Sequence, residues 1–206
     1  MAIITTGTNV DVDTTVNITT SGENRALLLM VAGANLTKPT SITFNSASFV
    51  QAVAYNGATD YASIWLLMNP DEGTYNITMN QNGGYVALGV ALSGVNTGAG
   101  VIAYDTTDGS GANNSVSASG VLSGDYLFAC AGLRFDVGNI TVTSGSLIYT
   151  NNNKFGSGYD ISTDTSVDVL FNFGGTVDSS GVGIVLRPAE GQAITMTSEL
   201  VPMWFF

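Results

Sequence analysis

The sequence predicts an all-β fold, an antiparallel β-sandwich, and three observations carry that prediction. Apolar residues come in short runs, some alternating with polar residues and some continuous, as strands require. Clusters of Gly, Asn, Asp and Pro separate the runs and supply turn chemistry. No stretch carries the long amphipathic period and caps of a helix.

Taken in order, the segment at 9–19 (NVDVDTTVNIT) puts Val10, Val12, Val16 and Ile18 on one face by strict alternation. ALLLMVA at 26–32 is apolar throughout, the pattern of a strand covered on both faces. SITF, FVQAVAY and YASIWLLM (61–68) follow, and NPDEG (69–73) closes a turn in which Pro presets φ and Gly accepts φ > 0. TYNITMN alternates through Tyr75, Ile77 and Met79, and NGG (82–84) turns the chain into YVALGVALSGV. A segment of Asp, Gly, Ser and Asn at 105–114 reads as a loop. Beyond it come SVSAS, DYLFACAGLRF, NITVT, SLIYT, VDVLFNF and VGIVLRP. Many short strands with such turns mean a sandwich or a barrel.

The halves resemble each other. SGENRALLLMVAGA at 21–34 answers SGDYLFACAGL at 123–133, and SITFNSASFV at 41–50 answers NITVTSGSLIY at 139–149. YVALGVAL, from residue 85, loosely answers VGIVL, from residue 182. Either the chain is pseudo-duplicated, with corresponding strands of each half lining both sheets, or strand composition has converged. No linker separates the halves, so one domain is expected over residues 1–189. Residues 190–206 then form a C-terminal extension ending in Leu200, Val201, Met203, Trp204, Phe205 and Phe206. Aromatic rings left in water make an adhesive patch. These residues are expected to pack against a neighbouring subunit, or else to fold back onto their own sandwich.

Composition narrows the partners. The chain is 45% hydrophobic, only 10% charged, and carries a net charge of −11. Its five basic residues (Arg25, Lys38, Arg134, Lys154, Arg187) are scattered singly. A polyanion would be repelled, so no nucleic acid is expected as partner, and an anionic membrane is disfavoured for the same reason. No apolar segment is long enough for a membrane helix, and the first residues lack the basic and apolar regions of a secretory signal. The single cysteine, Cys130, lies within an apolar run and reads as a small buried hydrophobe.

Catalytic chemistry is thin, and no enzyme and no cofactor are expected. The chain has no histidine, which removes the usual general base, the Ser–His–Asp triad and the commonest zinc ligand. Two carboxylate pairs, Asp71 with Glu72 and Asp11 with Asp13, are the available route to glycosidase chemistry. Asp105, Asp108 and Asn113, with Asn114, are weak calcium candidates, because hard cations take oxygen ligands from flexible Gly-rich loops. An ordinary solvated loop is the competing reading. Tyr55, Tyr61, Trp65, Tyr75 and Tyr85 are candidates for stacking on sugar rings, with Trp65 expected in the core.

SIWLLMNPDEGTYNIT (63–78), GVALSGVN (89–96), SGDYLFACAG (123–132) and GVGIVLRPA (181–189), in that order, resemble a β-sandwich module of tailed-phage virion proteins and bacterial surface proteins. The resemblance spans roughly residues 20 to 189 and rests on structural segments. It implies a jelly-roll-like sandwich that decorates a larger assembly, with no catalytic residues to carry over. On that basis the expected function is a capsid decoration, or cement, protein located on the virion. It would bind the major capsid protein or other virion subunits as a homo-oligomer, a trimer being favoured. The alternative is a carbohydrate-binding or adhesin module of a head or tail fibre, with a glycan as partner.

Overall fold

Alternation becomes burial in a computed structural model of the chain, which describes residues 15–33, 38–57, 60–80, 85–133, 140–151 and 155–199. The described residues contain strands and no helix. The first half holds β1 (Thr15–Thr20), β2 (Ala26–Gly33), β3 (Ile42–Phe44), β4 (Ala47–Ser48), β5 (Val50–Asn56), β6 (Tyr61–Met68), β7 (Gly73–Met79) and β8 (Tyr85–Ser93). The second holds β9 (Val101–Ser119), β10 (Tyr126–Leu133), β11 (Thr141–Ser144), β12 (Ser146–Asn151), β13 (Phe155–Ile161), β14 (Ser166–Leu186) and β15 (Thr195–Glu199).

All pairings between these strands are antiparallel. One sheet runs β1-β7-β3-β4 and a second runs β15-β8-β2-β6-β5. The third runs β11-β14-β10-β13-β12, with β9 also paired to β14. The two longest strands belong to two layers at once. Val101–Gly111 of β9 pairs with Val177–Leu186 of β14, while Asn113–Ser119 pairs with Ser166–Asn172, and the register shifts between Asn172 and Val177. Gly174 lies at that break with φ +67, a left-handed conformation that costs glycine little.

Three apolar layers hold this stack together. Ile18, Phe44 and Ile77 meet the outward face of β2 (Leu27, Leu29, Val31). The inward face of β2 (Leu28, Met30) meets Phe128 and Cys130 of β10. The opposite face of β10 (Leu127, Ala129, Ala131) meets Val116, Val169 and Phe171 from the far parts of β9 and β14. Both β2 and β10 are therefore buried along their whole length, which is why their sequences are continuously apolar. Burying one such Leu or Phe side chain contributes about 1.5–3 kcal/mol.

The repeat seen in sequence is matched by strand order. The path β15-β8-β2-β6-β5 corresponds to the first part of β9, the last part of β14, then β10, β13 and β12. The ladders agree as well: Ala26 faces Met68 and Leu92, while Tyr126 faces Ile161 and Leu186. Backbone bonds recur at the strand starts, where Asn69 N–H donates to Arg25 O at 2.9 Å and Ser162 N–H donates to Asp125 O at 2.8 Å. Corresponding strands do not share sheets, contrary to the expected arrangement. Each half builds most of its own two layers, with β15 added from the end of the chain to the sheet of the first half, and the halves meet face to face across the Leu28–Phe128 core.

Two further expectations change. Residues 105–114 form part of β9 rather than a loop, because all of them but Ala112 pair with β14. The sandwich also continues past residue 189: Ile194 is buried, and Thr195–Glu199 adds β15 to the edge of the central sheet against β8. Leu200, Val201, Met203, Trp204, Phe205 and Phe206 lie outside the described residues.

Candidate functional site

Where β5 ends, strand pairing in the second half brings three carboxylates to one cleft. Tyr55 is the next-to-last residue of β5 and Asp60 immediately precedes β6. Across from them, Asp108 of β9 is paired with Ser180 of β14, and Asp178 of β14 is paired with Ser110. Tyr55, Asp60, Asp108, Ser110 and Asp178, with Gly57 and Gly109, line an open cleft of about 400 Å³.

Asp60 is the unusual member. It is 4% exposed, and one of its carboxylate oxygens has no hydrogen-bond partner. The wholly buried Ser180 hydroxyl stands beside it and favours the ionised carboxylate. Burial pushes the Asp60 carboxyl above the usual range, Ser180 opposes the shift, and the charges of Asp108 and Asp178 reinforce it. The Asp108 carboxylate beside the Tyr55 hydroxyl pushes its pKa up to about 12, with burial and the negative charges adding to that effect. Lys38 does not line the cleft. Its ammonium is held 2.5 Å from Asn56 Oδ1 and lies 5.3 Å from the Tyr61 ring centre.

The calcium candidates are therefore divided. Asp108 faces the cleft, whereas Asp105 accepts from the backbone N–H groups of Thr106 (2.9 Å) and Ser117 (2.8 Å). Asn113 is exposed opposite Asn172, and buried Asn114 accepts from the Thr107 hydroxyl and donates to Ser179 Oγ at 3.0 Å. A strand spreads its side chains over two faces, so the proposed set does not converge. Among the described residues no three His, Cys, Asp or Glu side chains could hold one ion together.

The remaining candidates also separate. Asp71 accepts from Asn45 Nδ2 at 2.8 Å, while Glu72 approaches Arg25 at 3.9 Å, so the two neighbours serve different partners. Asp11 and Asp13 lie outside the described residues. Cys130 is fully buried, its thiol directed at Ser63 O over 3.8 Å, and burial raises its pKa.

Among the described side chains no aromatic platform forms from the sugar-stacking set, and the Tyr85 side chain lies outside them. Tyr61 and Trp65 are buried, with Trp65 Nε1 donating to Ser63 Oγ at 3.0 Å. Half-buried Tyr75 packs edge-on against Phe44 at 5.5 Å, and Tyr55 belongs to the acidic cleft. A second, polar groove of about 470 Å³ lies on the first sheet, lined by Asn17, Thr43, Asn45, Thr74, Asn76 and Thr78 among others. Its hydroxyls and amides follow from the polar half of each strand's alternation.

Sequence reasoning singled out Asp108 but missed Asp60 and Asp178. Their one signal is position: an acidic residue directly before an apolar strand, and another within the hydroxyl-rich approach to VGIVL. No protein-family model matches the chain, and neither a curated protein nor a solved structure matches it significantly.

Proposed function

We propose that this chain is a virion structural protein that decorates the outer capsid surface as a homo-oligomer and stabilises the assembled shell. The observation that carries the reading is the course of the C-terminus. Strand β15 forms an edge of the central sheet, its last residue Glu199 faces Gly89, and the sequence LVPMWFF follows directly. An apolar, aromatic segment attached to a sheet edge is suited to docking on a neighbouring subunit. A protein that binds only the assembled state stabilises it by mass action. The net charge of −11 would keep decorated particles mutually repulsive. The sequence resemblance to tailed-phage virion modules points the same way.

Light scattering on the full-length chain and on a variant lacking residues 200–206 tests this reading. A discrete oligomer, with a trimer expected, should dissociate on truncation. An unchanged monomer in both forms would remove the tail from the proposal and weaken the assembly reading.

A second reading, a glycan-binding module for host attachment, is favoured by the polar groove of Asn17, Thr43, Asn45 and Thr74. Amide and hydroxyl groups in such a groove can exchange hydrogen bonds with sugar hydroxyls. A glycan array decides it: binding lost on Asn76→Ala would support the groove, and no binding to any glycan would end the idea.

A further inference from the structure

We propose that the outer edge of β8 along Tyr85–Leu88 is a docking edge for the C-terminal residues Leu200–Met203 of the same chain, which extend β15 as one continuous strand. This goes beyond the virion reading and does not rest on it. The two halves exchange edge strands. Strand β8 closes the first half, and the strand after it, the first part of β9, crosses to pair with β14. Strand β14 closes the second half, and the strand after it, β15, crosses back to pair with β8. Registers make the two crossings equivalent. Ala26 faces Leu92 where Tyr126 faces Leu186, so Gly89 corresponds to Gly183. Met196 lies opposite Leu92 and Val101 opposite Leu186, and both pack on the core between the halves. Glu199 lies opposite Gly89, and Asp105 opposite Gly183.

Beyond that point the two edges differ. Strand β9 runs on, with Thr106, Thr107, Asp108 and Gly109 paired to Val182, Gly181, Ser180 and Ser179. The corresponding residues of β8 are Leu88, Ala87, Val86 and Tyr85. They pair with β2 on one side and, among the described residues, with nothing on the other. An open strand edge carries unpaired N–H and C=O groups that a further strand satisfies. The same chain supplies one, since the β15 ladder ends on Glu199 and Leu200 follows. Continuing that register sets Leu200 opposite Leu88, Val201 opposite Ala87, Pro202 opposite Val86 and Met203 opposite Tyr85. Residues directly opposite in an antiparallel pair share a face. Leu88 and Val86 belong to the core between the halves and Ala87 to the core under the first sheet, so an apolar segment suits this edge on both faces. An edge strand accommodates Pro202, because only alternate residues point their N–H groups at the neighbouring strand. Trp204, Phe205 and Phe206 then fall beyond Tyr85, the first residue of β8, and are the part of the tail left for a neighbouring subunit.

Hydrogen exchange on the full-length chain, read by mass spectrometry at a high and a low protein concentration, tests the assignment. The amides of Tyr85–Leu88 that face away from β2 should be protected, equally at both concentrations. A variant ending at Met203 should keep that protection. A variant ending at Glu199 should exchange there several-fold faster, while the buried strand β10 stays unchanged. If the shorter chain does not fold, a full-length double variant, Ala87→Cys with Val201→Cys, reports the register directly, because opposite residues bring their Cβ atoms near disulfide reach. Oxidation should give an intramolecular disulfide in the monomer. Fast exchange of those amides in the parent chain, or protection that survives in the variant ending at Glu199, would overturn the docking edge. Protection lost on dilution, or a disulfide found only between chains, would assign the edge to a second copy's tail and overturn the proposal as well. Light scattering reads the oligomer separately, so a monomer with a protected β8 edge would weaken the assembly reading and leave this one standing.

Discussion

Arg187 grips Asp125 with both prongs of its guanidinium, Nε donating to Oδ1 at 2.8 Å and Nη2 to Oδ2 at 2.7 Å. The pair ties the end of β14 to the residue that precedes β10, and the Leu122 N–H adds a third hydrogen bond to Oδ2 at 2.9 Å. The Asp125 side chain is 2% exposed and that of Arg187 is 31% exposed. Burial alone would raise the Asp125 pKa, but the bonds from Arg187 and Leu122 together outweigh it and leave the carboxyl below its ordinary value. Removing one member of such a pair leaves the other uncompensated. Asp125→Asn should cost about 2–4 kcal/mol, less than a fully buried pair because Arg187 reaches solvent.

The same pair sets a pH dependence. A carboxyl whose folded pKa lies below its unfolded value contributes stability above the unfolded pKa, and that contribution fades as pH falls through the folded one. The loss should therefore begin near the ordinary carboxyl value of 3.8 and continue below it. Urea unfolding at a series of acidic pH values should show stability falling in this window, less steeply for Asp125→Asn than for the parent. Equal slopes would mean that Asp125 is not the group responsible.

Gly132 packs tightly against the first half of the chain. A Cβ there would stand 2.8 Å from both Ala32 Cβ and the Tyr61 carbonyl oxygen, and backbone cannot move aside as a flexible side chain can. Gly132→Ala should destabilise the fold by about 1–3 kcal/mol through overpacking. Gly175→Ala, which meets nothing within 4 Å, serves as the control and should leave stability nearly unchanged. Chemical denaturation of both variants makes the comparison.

Phe128 sits in the core shared by both halves, with its ring centre 6.2 Å from that of Tyr126 and 6.3 Å from that of Tyr159. Because that core joins the halves, calorimetry should record a single unfolding transition. Phe128→Ala should lower its midpoint, at a cost of about 3–5 kcal/mol. Two separate transitions in the parent chain would show that the halves unfold independently.

Cys130 gives a probe of opening. The thiolate is the reactive form, and burial both raises this thiol's pKa and excludes reagent. A thiol-specific reagent should leave the native chain unlabelled and react after denaturant is added. Rapid labelling of the native chain would contradict the buried position of β10.

A local period in the sequence is enough to mark most of the strands. Alternation in TYNITMN puts Ile77 and Met79 in the core and Asn76 and Thr78 in solvent, and unbroken apolar runs mark β2 and β10 as strands covered twice. Even the repeat was legible, because corresponding positions face equivalent surroundings. Only tertiary structure decided that residues 105–114 form a strand: their Gly, Ser and Asn content reads as a loop, and the ladder with β14 supplies the backbone partners that hold them extended. It also decided which acidic residues meet. Asp60, Asp108 and Asp178 are distant in sequence and share a cleft because β9 and β14 pair beside the end of β5, whereas neighbouring Asp71 and Glu72 bind different partners. Burial period is a property of a few consecutive residues, but strand pairing and layer stacking join segments with no local signal of each other.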